Sequence, residues 1–95
     1  MPVLTQVCIL NNQHGLHIRA AGKLANLAAK FSSEITISKQ IDNQPDGAPT
    51  DAKSMMGLMM LAAGNGTQVL LTVKGNDAEQ ALASLKELIG DDFGE

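Results

Sequence analysis

The clearest structural signal in the sequence lies in residues 3–31, which read VLTQVCILNNQHGLHIRAAGKLANLAAKF. Residues 3–10 alternate two sets of side chains with the period of two that is typical of an extended strand. Residues 11–15 are Asn, Asn, Gln, His and Gly, which favour a polar turn. From residue 18 to residue 31, apolar side chains recur every three or four positions. This stretch therefore predicts a strand, a loop and an amphipathic helix.

The middle of the chain predicts a strand, a hairpin turn and a short helix. Residues 34–39 alternate isoleucine with polar side chains, as in a half-buried strand. Residues 40–50 contain Pro45 and Pro49, so they favour a turn and at most a short strand, which proline confines to a sheet edge. Residues 54–63 are rich in Met and Leu and predict a short helix.

The last third of the chain predicts a strand and a long helix. Residues 67–73 return to the alternating pattern, and residues 76–89 carry apolar side chains at helical spacing. Asn76 or Asp77 is expected to cap this helix, and Gly90 is expected to end it.

The order of predicted elements is β-α-β-(β)-α-β-α. The polar residues Thr36, Ser38, Gln68 and Thr72 indicate that one face of the sheet is exposed to solvent. Three helices would cover the other face. We therefore expect one domain over residues 1–95, built as an open-faced sandwich of a small sheet and a helical layer.

Composition limits the classes of function. The 95 residues are 44% apolar and 18% charged, as in a globular domain, and are too few for a two-lobed enzyme. A net charge of -3 without a basic cluster argues against nucleic acid, so we expect protein partners and a monomeric chain. The lone Cys8, a start that lacks the pattern of a secretory signal, and the absence of an apolar run of about 20 residues predict a cytoplasmic protein without membrane contact.

The candidate chemistry lies in residues 14–21, HGLHIRAA, where His17 stands between the loop and the first helix. Ser, Thr, Asp and Asn are the preferred N-caps, so histidine is locally a poor choice. The N–H groups of a first helical turn bind phosphoryl oxygens, and Arg19 adds a permanent cation. Both features disfavour a charged imidazole and leave a nitrogen lone pair for attack. These features make His17 a candidate acceptor of a phosphoryl group, in a reaction that needs no metal held by this chain.

Plainer interpretations of these residues stay open. A single histidine near a helix start is more often an ordinary surface residue, and spacing alone favours that interpretation. His14 and His17 form an H-x-x-H pair, but no Cys, Asp or Glu lies near enough in sequence to complete a metal site, so His14 is expected to be a solvated loop residue. Cys8 alternates into an apolar strand and is expected to pack rather than react.

Residues 15–21, GLHIRAA, resemble the active-site motif of the histidine-containing phosphocarrier (HPr) family, and residues 33–37 and 52–59 resemble its later segments in the same order. The resemblance covers nearly the whole chain. It implies an α+β fold, an open-faced β-α-β-β-α-β-α sandwich with an antiparallel four-stranded sheet, and it implies no cofactor. It also implies that His17 takes a phosphoryl group on Nδ1 from enzyme I, charged by phosphoenolpyruvate, and passes it to a IIA protein or domain. Arg19 matches the arginine that assists the phosphoryl group.

The sequence departs from the family pattern at three places. Ala20 stands where members usually carry proline, which loosens the active-site turn by about 0.4 to 1 kcal/mol but returns an N–H to the anion site. Residues 39–52 look longer than in typical members and predict a longer hairpin loop. The acidic residues 90–95 resemble the nitrogen-related branch of the family, whereas residues 53–57 resemble the sugar-transport branch, so both branches stay open.

Ser54 and the residues around it predict a second functional surface. Ser54 precedes an apolar helical run and is first of all a predicted N-cap. The resemblance implies that a dedicated kinase phosphorylates it in some bacteria, which would add negative charge beside the partner surface. Leu58 and Leu61 suit the core best, and about half of the methionines are expected to fill it as well. The predicted partner-docking residues beside His17 are Ile18, Gly22, Met55, Met56 and Met59.

The favoured hypothesis is a phosphoryl carrier that is a substrate of phosphotransferases and is not itself an enzyme. The alternative is a regulatory module that docks an enzyme or a transcription factor through its methionines, with Ser54 as the switch and His17 unused. A small metal-dependent hydrolase is a third reading, for which the sequence offers neither ligands nor a cleft.

Overall fold

The structure is a computed structural model that describes residues 2–94. Within these residues, four strands and three helices follow the predicted order, with one turn of 3-10 helix at the end. Their bounds are β1 Val3–Ile9, α1 Ile18–Ala28, β2 Glu34–Ile41, β3 Gln44–Asp51, α2 Met55–Met60, β4 Gln68–Lys74, α3 Ala78–Gly90 and the 3-10 turn Asp92–Gly94. No helix in residues 2–94 is both long enough and apolar enough to cross a membrane.

The four strands form one antiparallel sheet in the order β1-β4-β2-β3. β4 runs through the middle and pairs with β1 on one side and β2 on the other, without a break in register. The open-faced α+β sandwich is therefore confirmed. Its core is made of apolar side chains from the sheet and the helices, of which the largest fully buried ones include Leu10, Leu24, Ile35, Ile37, Leu58, Leu71, Leu85 and Phe93.

The β2–β3 hairpin differs from its prediction. The turn is only Asp42 and Asn43, which both have positive φ (54° and 65°), as a tight two-residue hairpin turn requires. β3 has 8 residues and lies at the sheet edge, so the edge position is confirmed but the expectation of at most a short strand is wrong. The predicted longer loop is wrong as well. Instead of a longer loop, the hairpin contains a bulge, in which residues 47–49 of β3 stand opposite Ser38 alone.

The prediction that one face of the sheet is exposed to solvent is only partly correct. Thr36, Gln68 and Thr72 are half-buried, but Ser38 is buried. The three-residue bulge of β3 lies opposite Ser38 in the strand register. The alternation of side chains along a strand thus predicted the face of Ser38 correctly, but could not predict what would cover it.

The end of α3 also differs from its prediction. Gly90 is the last residue of the helix and not its stop signal. The chain reverses later, at Asp92 and Phe93, which have positive φ (52° and 58°). This reversal turns the Phe93 side chain into the core, where it is 1% exposed. Lys23 of α1 holds the turn in place, because its Nζ donates a hydrogen bond to the carbonyl of Phe93 at 2.6 Å.

Asp77 precedes α3 as predicted, but its side chain does not cap that helix. Its carboxylate instead accepts hydrogen bonds from the backbone N–H groups of Ser32 (2.8 Å) and Ser33 (3.0 Å) and from both hydroxyls. The Ser33 hydroxyl, followed by the Ser32 N–H, holds the pKa of Asp77 below its usual range. Asp77 thereby fastens the start of α3 to the turn before β2.

Asp77→Asn is expected to lower the free energy of unfolding at neutral pH. Because the pKa of Asp77 is lower in the folded than in the unfolded chain, its ionised form stabilises the fold above the unfolded pKa, and this contribution is lost as the pH falls through the folded pKa. Urea unfolding at pH 7 and below about pH 4 measures the effect. The two proteins should converge in acid, and a gap that stays constant with pH would contradict the assignment. Asp46→Asn in β3 controls for the loss of one charge.

Candidate functional site

The loop before α1 is fastened to the segment that joins α2 to β4. The N–H of Leu10 donates to the carbonyl of Thr67 at 3.0 Å, and the N–H of Gly66 donates to the carbonyl of Leu10 at 2.6 Å. Closer to the helix, the N–H of Leu16 donates to the carbonyl of Ala63 at 2.8 Å. The loop is thus tied at both ends to residues 63–67.

Two asparagine side chains brace the same loop. The Nδ2 of Asn12, which is buried, donates to the carbonyl of Gly15 at 2.7 Å. The Nδ2 of Asn65 donates to the carbonyls of Asn11 (3.1 Å) and Asn12 (3.0 Å). The sequence predicted Asn11 and Asn12 as turn residues. It did not reveal that the side chain of Asn65, which lies far away in the chain, binds their carbonyls.

Gly15 is required at its position for two reasons. Its φ is +58°, which is a left-handed conformation that L side chains rarely adopt. A Cβ atom there would collide with the carbonyl oxygen of Ala63 and come within 2.6 Å of the Cα of Gly64. The glycine of the GLH motif therefore allows the loop to lie directly against the backbone of residues 63–64.

His17 is the N-cap of α1. Its backbone is extended (φ -80°, ψ 179°), and its carbonyl accepts the helical hydrogen bond of Ala21 at 2.8 Å. Its ring nitrogen Nδ1 accepts a hydrogen bond from the N–H of Arg19 at 3.3 Å. His17 therefore caps α1 although histidine is not among the preferred N-cap residues. Nδ1 is bonded to Cγ, as the Oδ1 of asparagine is, so an imidazole reaches the first turn in the same way.

This cap aims a ring nitrogen at the positive end of a helix. Because Nδ1 accepts a hydrogen bond, the neutral ring carries its proton on Nε2. The N–H groups of Ile18, Arg19 and Ala20 belong to the first turn and have no carbonyl within the helix to bind. A tetrahedral anion attached to Nδ1 would therefore lie beside these donors. Ala20 offers an N–H that a proline would lack.

The side chains around His17 divide into buried and exposed ones. Ala20 and Ala21 are buried and anchor the first turn, whereas Ile18 (61% exposed) and Arg19 point to solvent. His14 is exposed, as predicted, and its ring contacts the ring of His17 edge to face, with 5.8 Å between centroids. Within residues 2–94, no group of three His, Cys, Asp or Glu side chains is placed to hold a metal ion.

α2 lies next to α1 and carries the second predicted site. Ser54 is the N-cap of α2, as predicted, and its Oγ accepts a hydrogen bond from the N–H of Gly57 at 3.0 Å. Met55 packs against Gly22 of α1, because a Cβ built on Gly22 would lie 3.8 Å from both Sδ and Cε of Met55. Ser54 is therefore adjacent to a residue that touches the helix started by His17.

The methionines of α2 face solvent more than predicted. All four are exposed, led by Met60 (79%) and Met56 (73%), whereas about half were expected to fill the core. Leu58 and Leu61 are buried and are the residues of this segment that pack into the core, as predicted. The two-layer fold leaves no second layer over the outer side of this short helix. Ile18, Met55, Met56 and Met59 are thus all exposed on α1 and α2.

Cys8 packs against the core from β1, as predicted, and is half-buried. Burial raises the pKa of its thiol, and the nearby Lys86 lowers it to a smaller extent. A raised thiol pKa keeps sulfur in its unreactive protonated form at neutral pH.

Comparisons with known proteins match both the motif and the fold. The family model described as "PTS HPr component phosphorylation site" matches residues 4–91. The chain is 45% identical over 84 residues to the phosphocarrier protein HPr of Cupriavidus necator, with 88% of each chain covered. It is 41% identical over 93 residues to that of Neisseria meningitidis serogroup A, with 98% of each covered. The crystal structure of HPr-C-His from Thermoanaerobacter tengcongensis matches with a TM-score of 0.82 at 38% identity, over 100% of this chain and 98% of that one. Since the family match spans nearly the whole chain, this protein belongs to the HPr family, the phosphocarriers of the phosphotransferase system.

Proposed function

We propose that the Nδ1 atom of His17 is the atom that carries the phosphoryl group. The observation that carries this proposal is the hydrogen bond from the Arg19 N–H to Nδ1, which fixes the ring with this nitrogen toward the start of α1. The neutral ring with its proton on Nε2 has its lone pair on Nδ1, where attack on phosphorus takes place.

The transfer is a displacement at phosphorus. The Nδ1–P bond forms as the bond between phosphorus and the donor breaks, and the donor is the phosphorylated form of enzyme I. As phosphorus approaches Nδ1, the Arg19 N–H exchanges its nitrogen acceptor for a phosphoryl oxygen. The first-turn donors and the guanidinium of Arg19 then balance the charge of the phosphoryl group. Positioning and charge stabilisation supply the catalysis, as in other phosphoryl transfers.

The carrier role requires a surface that several partners can use in turn. Ile18, Met55, Met56 and Met59 are exposed apolar side chains, and Met55 contacts α1 at Gly22. Methionine adapts its shape to different partners because it is unbranched and flexible. We assign this surface to enzyme I, which delivers the phosphoryl group, and to a IIA protein or domain, which receives it, while the chain acts as a carrier and not as a catalyst.

The test locates the phosphoryl group on the chain. The protein is incubated with phosphoenolpyruvate and each of two enzyme I types, from the sugar and the nitrogen-related systems, and is then analysed by mass spectrometry under alkaline conditions. We expect one added phosphoryl group on His17 with at least one enzyme I type, and heteronuclear NMR should place it on Nδ1. Phosphate on His14, or on Nε2 of His17, would contradict the assignment. The enzyme I type that labels faster identifies the branch.

Ser54 fits a regulatory role in the same proposal. Its hydroxyl caps α2, and it directly precedes Met55 of the partner surface. A phosphate at a helix start is tolerated by the helix but adds about two negative charges beside that surface. Such a charge would weaken docking without unfolding the chain.

Ser54→Asp is expected to slow the phosphorylation of His17 by enzyme I several-fold, because it adds charge while it keeps a capping oxygen. Ser54→Asn is the matched control, since it caps equally well without the charge. The rates are compared by the appearance of the phosphorylated protein over time. Equal rates for the two variants would exclude a charge effect at this position.

A further inference from the structure

The direction in which the Nδ1 atom of His17 can attack depends on the plane of its ring. The lone pair of a ring nitrogen lies in that plane, and the torsion that rotates a histidine ring about its Cβ–Cγ bond is only broadly restricted. The N–H of Arg19 reaches Nδ1 at 3.3 Å, which is long for a hydrogen bond. This bond selects the flip of the ring that places Nδ1, and not a carbon, at the start of α1, but it holds the plane of the ring only loosely.

His14 provides a second contact to this ring. The centroids of the two imidazole rings lie 5.8 Å apart, and their planes are nearly perpendicular, at 88°. An edge-to-face pair of this kind is attractive, because the positive edge of one aromatic ring meets the negative face of the other. Since Nδ1 points toward the Arg19 N–H, the contact with His14 is made by another part of the His17 ring. Rotation of the His17 ring out of its present plane would break this contact.

The loop keeps the His14 side chain next to His17. The Nδ2 of Asn12 donates to the carbonyl of Gly15 at 2.7 Å, and the N–H of Gly15 donates to the carbonyl of Asn12 at 3.3 Å, so these two residues close a turn around His14. Asn12 is buried, and Gly15 lies directly against the backbone of residues 63–64. The side chain of His14 is exposed, but its backbone is fixed on both sides, which lowers the entropy cost of holding its ring against His17.

We propose that His14 is a positioning residue for phosphoryl transfer at His17: it sets the plane of the His17 ring and thereby aims Nδ1 at the phosphorus atom. This inference rests on the proposed function and adds to it a side chain outside the GLH motif. Displacement at phosphorus needs the attacking nitrogen, the phosphorus atom and the leaving atom in line. When the phosphoryl group is attached, the Arg19 N–H has left Nδ1, whereas the contact with His14 does not involve Nδ1. His14 therefore orients the ring in the phosphorylated chain as well, where the plane of the ring sets the direction of the Nδ1–P bond.

Rapid-quench mixing of phosphorylated enzyme I with the chain tests the effect on transfer. His14→Ala should lower the transfer rate at saturation about three- to tenfold and leave the half-saturating concentration unchanged, because the His14 ring orients the acceptor and does not bind the partner. His14→Phe keeps a flat ring without a nitrogen and should stay within about twofold of the wild type. Gln13→Ala, which changes the neighbouring exposed residue of the loop, should match the wild type. An unchanged rate in His14→Ala, a change in half-saturation alone, or equal losses in His14→Ala and His14→Phe would overturn the proposal.

NMR of the unphosphorylated chain tests the ring contact without any transfer. In the wild type we expect cross-peaks between the two imidazole rings and, from the chemical shifts of the ring nitrogens, a neutral His17 with its proton on Nε2. His14→Ala should shift His17 toward a mixture of tautomers, because a ring that swings freely spends less time bonded to the Arg19 N–H, and His14→Phe should restore the single tautomer.

The two experiments separate the positioning role from the proposed function. Phosphorylation of His17 in a wild type that lacks the cross-peaks, or a tautomer that stays unchanged in His14→Ala, would overturn the positioning role alone. A wild type that takes no phosphoryl group on His17 would overturn the proposed function and the positioning role together, even if the spectra show the two rings in contact.

Discussion

Replacement of His17 by alanine or by asparagine is expected to abolish phosphoryl acceptance in both variants, but to destabilise the fold only in the alanine variant. Alanine removes both the acceptor atom and the cap of α1. Asparagine removes the acceptor but supplies Oδ1 at the place from which Nδ1 now accepts the Arg19 N–H. The loss of a good N-cap costs about 1 kcal/mol.

Two measurements separate these effects. Incubation with enzyme I and labelled phosphoenolpyruvate reports acceptance, and urea unfolding reports stability. The asparagine variant should unfold within a few tenths of a kcal/mol of the wild type, and the alanine variant about 1 kcal/mol lower. Label on either variant would show that the phosphoryl group is carried elsewhere. Biological activity retained by the alanine variant but lost in Ser54→Ala would favour the regulatory module instead.

Phe93→Ala is expected to lower the free energy of unfolding by about 3 to 5 kcal/mol, although only two residues follow Phe93 in the sequence. The side chain is among the largest fully buried ones in the described chain, and its loss leaves a cavity between α1 and α3. Lys23 would also lose the fixed carbonyl to which it donates. Such a loss is a large part of the stability of a domain of this size.

Phe31→Ala is the matched control, since Phe31 is the other phenylalanine of the chain and is only half-buried. It should cost clearly less than Phe93→Ala in the same urea unfolding experiment. Equal losses for the two variants would mean that Phe93 is not a core residue in solution.

Regular periodicity made most of the fold predictable. Residues 3–10, 67–73 and 76–89 follow periods of two or of three and four, and each forms its predicted element with ends shifted by one or two residues. β3 escaped prediction because its eight residues, QPDGAPTD, have almost no strand propensity. The tight turn at Asp42 and Asn43 and the adjacent β2 strand impose pairing on it.

The positions of the candidate site residues were predictable where these residues are close in sequence. His17, Arg19 and Ser54 are identified by motifs of a few residues, and the structure places His17 and Ser54 at helix starts. Asn65, which braces the loop before α1, and Asp77, which binds Ser32 and Ser33, act on residues more than 40 positions away. Periodicity and capping rules describe neighbours within about one turn, so they cannot reveal such contacts. Phe93 was hidden for a different reason, because an acidic tail rarely contributes to a core.

The hydrogen bonds from Leu10 and Leu16 to residues 63–67 limit the stage of synthesis at which the chain could be phosphorylated. The loop that precedes His17 keeps its shape only after β4 has been synthesised and has paired with β1. A nascent or truncated chain that ends near residue 60 contains the whole GLH motif but lacks the backbone against which Gly15 rests. Under the proposed function, only chains in which β4 has been made and has paired with β1 would present His17 for phosphorylation.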